Sequence, residues 1–247
     1  MKNLIVIPAY NEEVSLEKTV ASLQRLSSDV YEILVVNDGS SDRTHECAQR
    51  AKQASKLEVQ IISLGSNGGI GVAVQAGYIY ARKRGGYRYL IQFDADGQHE
   101  ASYIEPLVSA CETERLDLCI GSRFLEMEEG NYHSTIQRRL GIRFCSMLIY
   151  LLSGVMVKDP TSGFRCIAPR VWEQFADNYP AEFPEPVSLF WCARNKLRIG
   201  EIPVRMHKRQ GGISSIRRFK TLEYMLMVSL AIVVDRLRMK EMMHFER

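Results

Sequence analysis

The 247-residue sequence has no Cys-x-x-Cys pair, no internal repeat and no low-complexity linker. Its six cysteines, Cys47, Cys111, Cys119, Cys145, Cys166 and Cys192, are scattered without metal-ligand spacing. That argues against a zinc site or disulfide framework and favours reduced, buried thiols in a cytosolic protein. No apolar run approaches the ~20 residues that span a bilayer; the longest are Phe144–Leu152 and Tyr224–Val234. The opening run Leu4-Ile5-Val6-Ile7 stops at Pro8, too soon for a secretory leader. A net charge of +3 is too small to imply nucleic acid. The glycines at 68, 69 and 71 fit neither the dinucleotide Gly-x-Gly-x-x-Gly pattern nor a P-loop, since no Lys-Ser/Thr follows.

What remains is an ordinary globular composition, 46% hydrophobic and 25% charged, in a chain long enough for a full core. Positive charge gathers in the last third, between Arg194 and Lys220. Apolar, β-branched runs predict strands over Asn3–Pro8, Tyr31–Val36, Val59–Leu64, a fourth beginning at Tyr87, and Asp117–Ser122. Helical patterns fall between them, over Leu16–Leu26, Thr44–Ala54, Ile70–Arg84 and Ile104–Glu114. Strands alternating with helices at this spacing mean a mostly parallel, doubly wound α/β sheet.

The chain is organised around Tyr87–His99, where a strand breaks into Asp94-Ala95-Asp96-Gly97-Gln98-His99. Ligands of open α/β sheets bind beyond the carboxyl ends of strands. Two carboxylates spaced i, i+2 there can converge on Mg²⁺ or Mn²⁺, which favour oxygen ligands and substrate phosphates; the alternative is a polar turn. Two further loops follow the first and second strands: Pro8-Ala9-Tyr10-Asn11-Glu12 and Asn37-Asp38-Gly39-Ser40. An aromatic ring, acids and a metal together would hold a nucleoside diphosphate, although Asp38 and Ser40 also suit plain turn and cap chemistry.

Several motifs, in consistent order over about residues 3–220, carry a resemblance. They are Ile7-Pro8-Ala9-Tyr10-Asn11-Glu12, Val35-Val36-Asn37-Asp38-Gly39-Ser40-Ser41-Asp42, Asn67-Gly68-Gly69-Ile70-Gly71, Phe93-Asp94-Ala95-Asp96-Gly97-Gln98 and Gly121-Ser122-Arg123. Asp159-Pro160-Thr161-Ser162-Gly163-Phe164-Arg165, Gly200-Glu201-Ile202-Pro203-Val204 and Arg209-Gln210-Gly211-Gly212-Ile213-Ser214 follow. With them the chain resembles the family 2 inverting glycosyltransferases, and within these the dolichyl- and polyprenyl-phosphate sugar transferases. The resemblance implies a glycosyltransferase A-type fold, a Rossmann-like, mostly parallel sheet flanked by helices. A catalytic domain over 1–216 would precede a C-terminal helical extension over 217–247.

Carried over by position, Pro8, Ala9, Tyr10, Glu12, Asp38 and Ser40 would surround the nucleotide, with Asp94 beside them. Asp94, Asp96 and Gln98 would hold the metal, Mg²⁺ or Mn²⁺. Arg123, Arg139 and Arg209 would meet the donor diphosphate and acceptor phosphate, with Ser214 following at the family's spacing. Many relatives read Pro-Glu-Pro-Glu where this chain has Pro184-Glu185-Pro186-Val187. The Gln-x-x-Arg-Trp motif of processive synthases is absent, since Gln137-Arg138-Arg139-Leu140 does not supply it. The transmembrane helices of many relatives are missing too.

The reaction this implies displaces a nucleoside diphosphate from a sugar's anomeric carbon. A metal and arginines would stabilise the charge that builds on the leaving group. A phosphate-monoester acceptor, with a second pKa of about 6, is already largely ionised at neutral pH. It needs positioning by arginines more than a base. A saccharide hydroxyl would need a carboxylate base, for which Glu185 is the candidate. A nucleotide-sugar-binding scaffold without turnover is the third reading. The helical pattern of Ile136–Leu152, basic at its head and then apolar, suits either a membrane interface or a core helix. The expected location is cytoplasmic, peripheral to the inner face of the cell membrane. The extension would dock on lipid, a small membrane protein or a second copy of the chain.

Overall fold

The computed structural model describes residues 1–125, 136–207 and 225–234. Seven strands form one sheet: β1 (Lys2–Ala9), β2 (Tyr31–Asn37), β3 (Glu58–Ser63), β4 (Tyr87–Gln92), β5 (Leu118–Ser122), β6 (Arg165–Ile167) and β7 (Ile199–Pro203). Their order is β3-β2-β1-β4-β6-β5-β7, parallel except for β6, which runs antiparallel to both neighbours. Seven helices cover the sheet: α1 (Leu16–Ser22), α2 (Thr44–Ala54), α3 (Ile70–Arg84), α4 (Ile104–Thr113), α5 (Ile136–Ser153), α6 (Pro169–Asp177) and α7 (Pro184–Arg194). Residues 225–234 are also helical.

The continuous apolar strands follow from burial on both faces. Along β1, Ile5, Ile7 and Ala9 enter the core shared with α1, α2 and α4, while Leu4 and Val6 enter the core shared with α3, α6 and α7. Ile5 lies beside Ile33 on one side and Ile91 on the other. The chain leaves β1 towards β2 and β3, then returns to place β4 on β1's other edge. This reversal opens a crevice at the carboxyl ends of β1 and β4, where open α/β sheets bind ligands.

Two differences from expectation, at the first helix and at β6, have local causes, while α2 spans the expected Thr44–Ala54. The first helix ends at Ser22, and Leu23–Arg25 tighten into a 3-10 turn. Residues three apart eclipse in such a turn, which buries Leu23 and Leu26 on the same side. The α2 start is closed by Asp42, whose carboxylate accepts the Thr44 amide at 2.9 Å. Finally, β6 is only three residues long and its buried Arg165 hides it from any apolar pattern.

All six cysteines are buried free thiols. No helix among the described residues is long and apolar enough to cross a membrane. The expected boundary at 216/217 lies outside the described residues.

Candidate active site

A cleft of about 610 Å³ occupies the crevice, lined by Pro8, Ala9, Tyr10, Asn11, Glu12, Asp38, Asn67, Gly69, Ile70, Ala73, Asp94, Ala95 and Asp96. Its size suits a small-molecule ligand. The structure thus brings together six of the seven residues expected around the nucleotide, with Asp96 beside them. Tyr10 is half exposed and presents its ring, whereas Glu12 and Asp38 are buried to 4% and 2% exposure.

Two loops are clasped to form this wall. Asn11, at φ 54°, donates its amide to Ser40 Oγ at 3.0 Å. The Asn11 side chain accepts the Ser41 amide at 2.9 Å. Asparagine tolerates this left-handed backbone better than most residues. The Glu12 amide donates to Thr44 Oγ1 at 2.8 Å, and Ser15 Oγ donates to Glu12 Oε2 at 2.6 Å. Ser40, expected at the nucleotide, does not line the cleft; its hydroxyl fixes the loop that does. Asp38 accepts the amides of Gly68 and Gly69 at 2.8 and 2.9 Å, which aligns the glycine segment ahead of α3. It keeps lone pairs for a ligand, because a carboxylate has about four acceptor sites.

Gly39 permits that approach. It has φ 63°, and an added Cβ would collide with the Ser66 backbone and lie 2.6 Å from Asn67 N. Gly39→Ala is expected to cost about 2 kcal/mol through strain and overpacking. It should also weaken nucleoside diphosphate binding, because Asn67 and Gly69 shift with the loop. Chemical denaturation and nucleotide titration of the variant check both effects; unchanged values would remove the glycine's role.

Asp94 and Asp96 stand where the chain leaves β4. Asp96 Oδ1 accepts the Gln98 amide at 2.9 Å, forming an Asx turn. His99, unassigned by sequence, is buried and accepts the Asp94 amide on Nδ1 at 3.0 Å. Its Nε2 lies 3.6 Å from Asp94 Oδ2, and its ring stacks on Phe164 at 4.7 Å. Burial drives the imidazole pKa down to about 4, so the ring is neutral at pH 7. The Gln98 side-chain amide, expected at a metal, donates instead to the His207 carbonyl at 3.2 Å. The His207 amide returns to Gln98 O at 2.9 Å, and His99 bridges Met206. The turn is thereby tied to the segment leading towards Arg209.

Among the described residues, no three His, Cys, Asp or Glu side chains converge on a metal position. Two carboxylates on the cleft wall nevertheless fit Mg²⁺ or Mn²⁺, which complete their shells with substrate phosphates and water.

Behind Asp94, the buried Arg165 donates to Ser162 O, Ser188 Oγ, Pro160 O and Glu185 O. Glu185, at the start of α7, has its pKa raised by desolvation and by Asp94, against the pull of Arg165. Gly71 lets the segment before α7 lie against the α3 start, where any Cβ would strike the Pro180 carbonyl.

Arg123, expected at the donor diphosphate, is held in an ion pair with Asp159. It is 9% exposed, does not line the cleft, and grips the fully buried Asp159 with two bonds of 2.6 Å. It also reaches Thr161 Oγ1 at 2.9 Å. Arg139 lines a second cavity of about 300 Å³, with Phe124, Ile142, Arg143, Ser146, Met147, Met156 and Lys158. Arg209 and Ser214 lie outside the described residues. The sequence signal for Asp159, Gly163 and Arg165 was their shared motif; nothing in the sequence gave it a chemical role.

Comparison with known proteins agrees with this geometry. The model of glycosyl transferase family 2 matches residues 4–166, most of the chain. The polyprenol monophosphomannose synthase of Mycolicibacterium smegmatis is 30% identical over 92% of this chain and 86% of its own. A UDP-N-acetylglucosamine–dolichyl-phosphate N-acetylglucosaminyltransferase of Methanococcus voltae is 28% identical over 94% of this chain and 97% of its own. Among solved structures, glucosyl-3-phosphoglycerate synthase from Mycobacterium tuberculosis, in complex with Mn²⁺, UDP and phosphoglyceric acid, superposes with a TM-score of 0.69. That match covers 95% of this chain and 78% of the other at 18% identity, a likeness of fold. With the doubly wound sheet, the crevice at its switch point and the Asp94/Asp96 turn, these matches place the chain in glycosyl transferase family 2, and the protein is a glycosyltransferase.

Proposed function

We propose that the protein transfers a hexose or N-acetylhexosamine from a nucleoside diphosphate sugar to polyprenyl phosphate, with Mg²⁺ or Mn²⁺, for cell-surface glycan assembly. The observation that carries this reading is the second cavity. There Arg139, Arg143 and Lys158 meet Ile142, Met147 and Met156, so cations for a phosphate adjoin apolar surface for a lipid chain. Both relatives above bear names with polyprenyl- or dolichyl-phosphate chemistry.

In this reading Tyr10 stacks on the base, Pro8, Ala9 and Asp38 shape its slot, and Glu12 braces the wall. Asp94 and Asp96 hold the cation, which supplies charge neutralisation at the departing β-phosphate. The arginines orient an acceptor that needs no deprotonation. Arg209, after the tethered His207, is assigned to the same phosphates, and 1–216 to the catalytic domain. The test is a radiolabelled UDP- or GDP-sugar offered with polyprenyl phosphate and, separately, oligosaccharides. Label should enter the lipid; label in the oligosaccharide alone overturns the acceptor.

That second outcome has support of its own. The raised pKa of Glu185, beside Asp94, suits a general base for a saccharide hydroxyl.

The protein is placed at the inner face of the cell membrane, held by its surface. Leu140, Phe144, Met147 and Leu151 form one exposed stripe along α5, and Leu226, Met227, Leu230, Val233 and Val234 are exposed on the 225–234 helix. Arg139 and Arg143 flank the first stripe and favour anionic lipid. The 217–247 extension is assigned to this surface, with a membrane protein or second copy as the other docking candidates. Flotation with anionic vesicles should be weak and fall with salt, as screening over ~8–10 Å demands. Arg139→Glu with Arg143→Glu should abolish it. Salt-independent flotation, or none at low salt, would exclude this placement.

A further inference from the structure

Gln92 ends β4, pairs with Val6 of β1 and Arg165 of β6, and is 1% exposed. Neither Oε1 nor Nε2 of its amide has a hydrogen-bond partner. A buried amide offers acceptor and donor sites whose neglect costs stability, so it calls for an occupant. Packing does not explain it, because its neighbours on this face, Leu90 and Val6, are apolar.

The surroundings are polar on the cleft side only. Asp94, two residues on, lines the cleft. The Glu185 carboxyl lies near enough for the amide to hold its pKa down somewhat, but the pair falls short of hydrogen-bond geometry. Arg165 directs its guanidinium to Ser162, Pro160, Ser188 and Glu185 and makes no bond to Gln92. Gly163 keeps the cluster tight: an added Cβ would lie 2.9 Å from Gln92 Nε2 and 3.2 Å from Asp94 Oδ2.

We propose that Gln92 is a specificity-determining residue, whose amide hydrogen-bonds a hydroxyl or acetamido group of the donor sugar held against Asp94. The inference rests on the nucleotide-sugar reading above and deepens it. A sugar hydroxyl both donates and accepts, and an amide matches both functions. A carboxylate group in its ionised form only accepts. A site that bonds one hydroxyl rejects the epimer lacking it there, because its own polar group is then left unpaired. A nucleoside diphosphate without sugar ends at the β-phosphate and makes no such contact.

The experiment titrates the full chain and its Gln92→Met variant, with Mn²⁺, using UDP and GDP. It then uses the glucose, mannose and N-acetylglucosamine conjugates of whichever nucleotide the wild type binds. The wild type should prefer one conjugate. Gln92→Met should lose about tenfold of that affinity while nucleoside diphosphate binding stays within about twofold. Its thermal midpoint should be equal or higher, since an unpaired amide gives way to an apolar chain of similar length. Wild-type discrimination in the variant, or equal loss of nucleoside diphosphate and conjugate, overturns the assignment. A wild type that binds the nucleotide but distinguishes no sugar overturns it too. A wild type that binds neither UDP nor GDP instead removes the nucleotide-sugar reading, and this inference with it.

Discussion

Asp96→Asn should lower turnover about 100-fold or more while leaving the fold intact, in line with the loss of one preorganised electrostatic group. The two effects separate because of what Asp96 does in the turn. Its Oδ1 accepts the Gln98 amide, and an asparagine oxygen accepts the same bond. What disappears is a negative charge on the cleft wall, at a residue only 5% exposed. Asp94→Asn should be equally or less severe. Nucleoside diphosphate affinity measured with and without Mn²⁺ locates the loss. The Mn²⁺-dependent gain should vanish in Asp96→Asn, and the metal-free affinity should persist. A variant with wild-type turnover and wild-type Mn²⁺ response would take Asp96 out of the metal site.

Arg123→Met should destabilise the protein by about 3–5 kcal/mol, because it strands a fully buried carboxylate. Asp159 has no exposure, and its oxygens are held by the Arg123 guanidinium and backbone amide. At this chain length that loss corresponds to roughly 10 °C in thermal midpoint. Combining it with Asp159→Asn should recover a large part, since an asparagine needs no counter-charge. Double-mutant denaturation measures the coupling. The family resemblance assigns Arg123 to phosphate instead. Under that assignment Arg123→Met would cut turnover at unchanged stability, so the two roles give opposite readouts.

The Arg123 example marks where sequence reading ends. β1, β2 and β4 were legible because both their faces are buried, so their apolar runs are unbroken and their ends abrupt. Polar loops at those ends were legible as a site for the same reason: Tyr10, Asp38, Asp94 and Asp96 reach one cleft. The use of each polar group was not legible. Gln98 and Ser40 lie in the expected loops but spend bonds on His207 and Asn11 and do not line the cleft. Such choices depend on partners 29 and 109 residues away, and no spacing rule encodes them. Strand β6 escaped notice because a three-residue strand headed by arginine has no periodicity to read, and its arginine is buried only through acceptors in the loop at Pro160 and Ser162 and at the start of α7.

That short strand has a consequence for how the protein can be assembled. Arg165, Cys166 and Ile167 each lie between a residue of β4 and a residue of β5. The first 125 residues therefore carry five strands with a slot one strand wide between the fourth and fifth. Only the later part of the chain holds the piece that fills it, together with the α7 start that bears Glu185. During synthesis the β4 edge emerges unpaired and must wait for that piece, a period in which it can recruit a foreign strand. For the same reason, a chain divided between Leu125 and Ile136 should behave as two complementary fragments. Neither closes the sheet alone, and each supplies part of the wall behind Asp94.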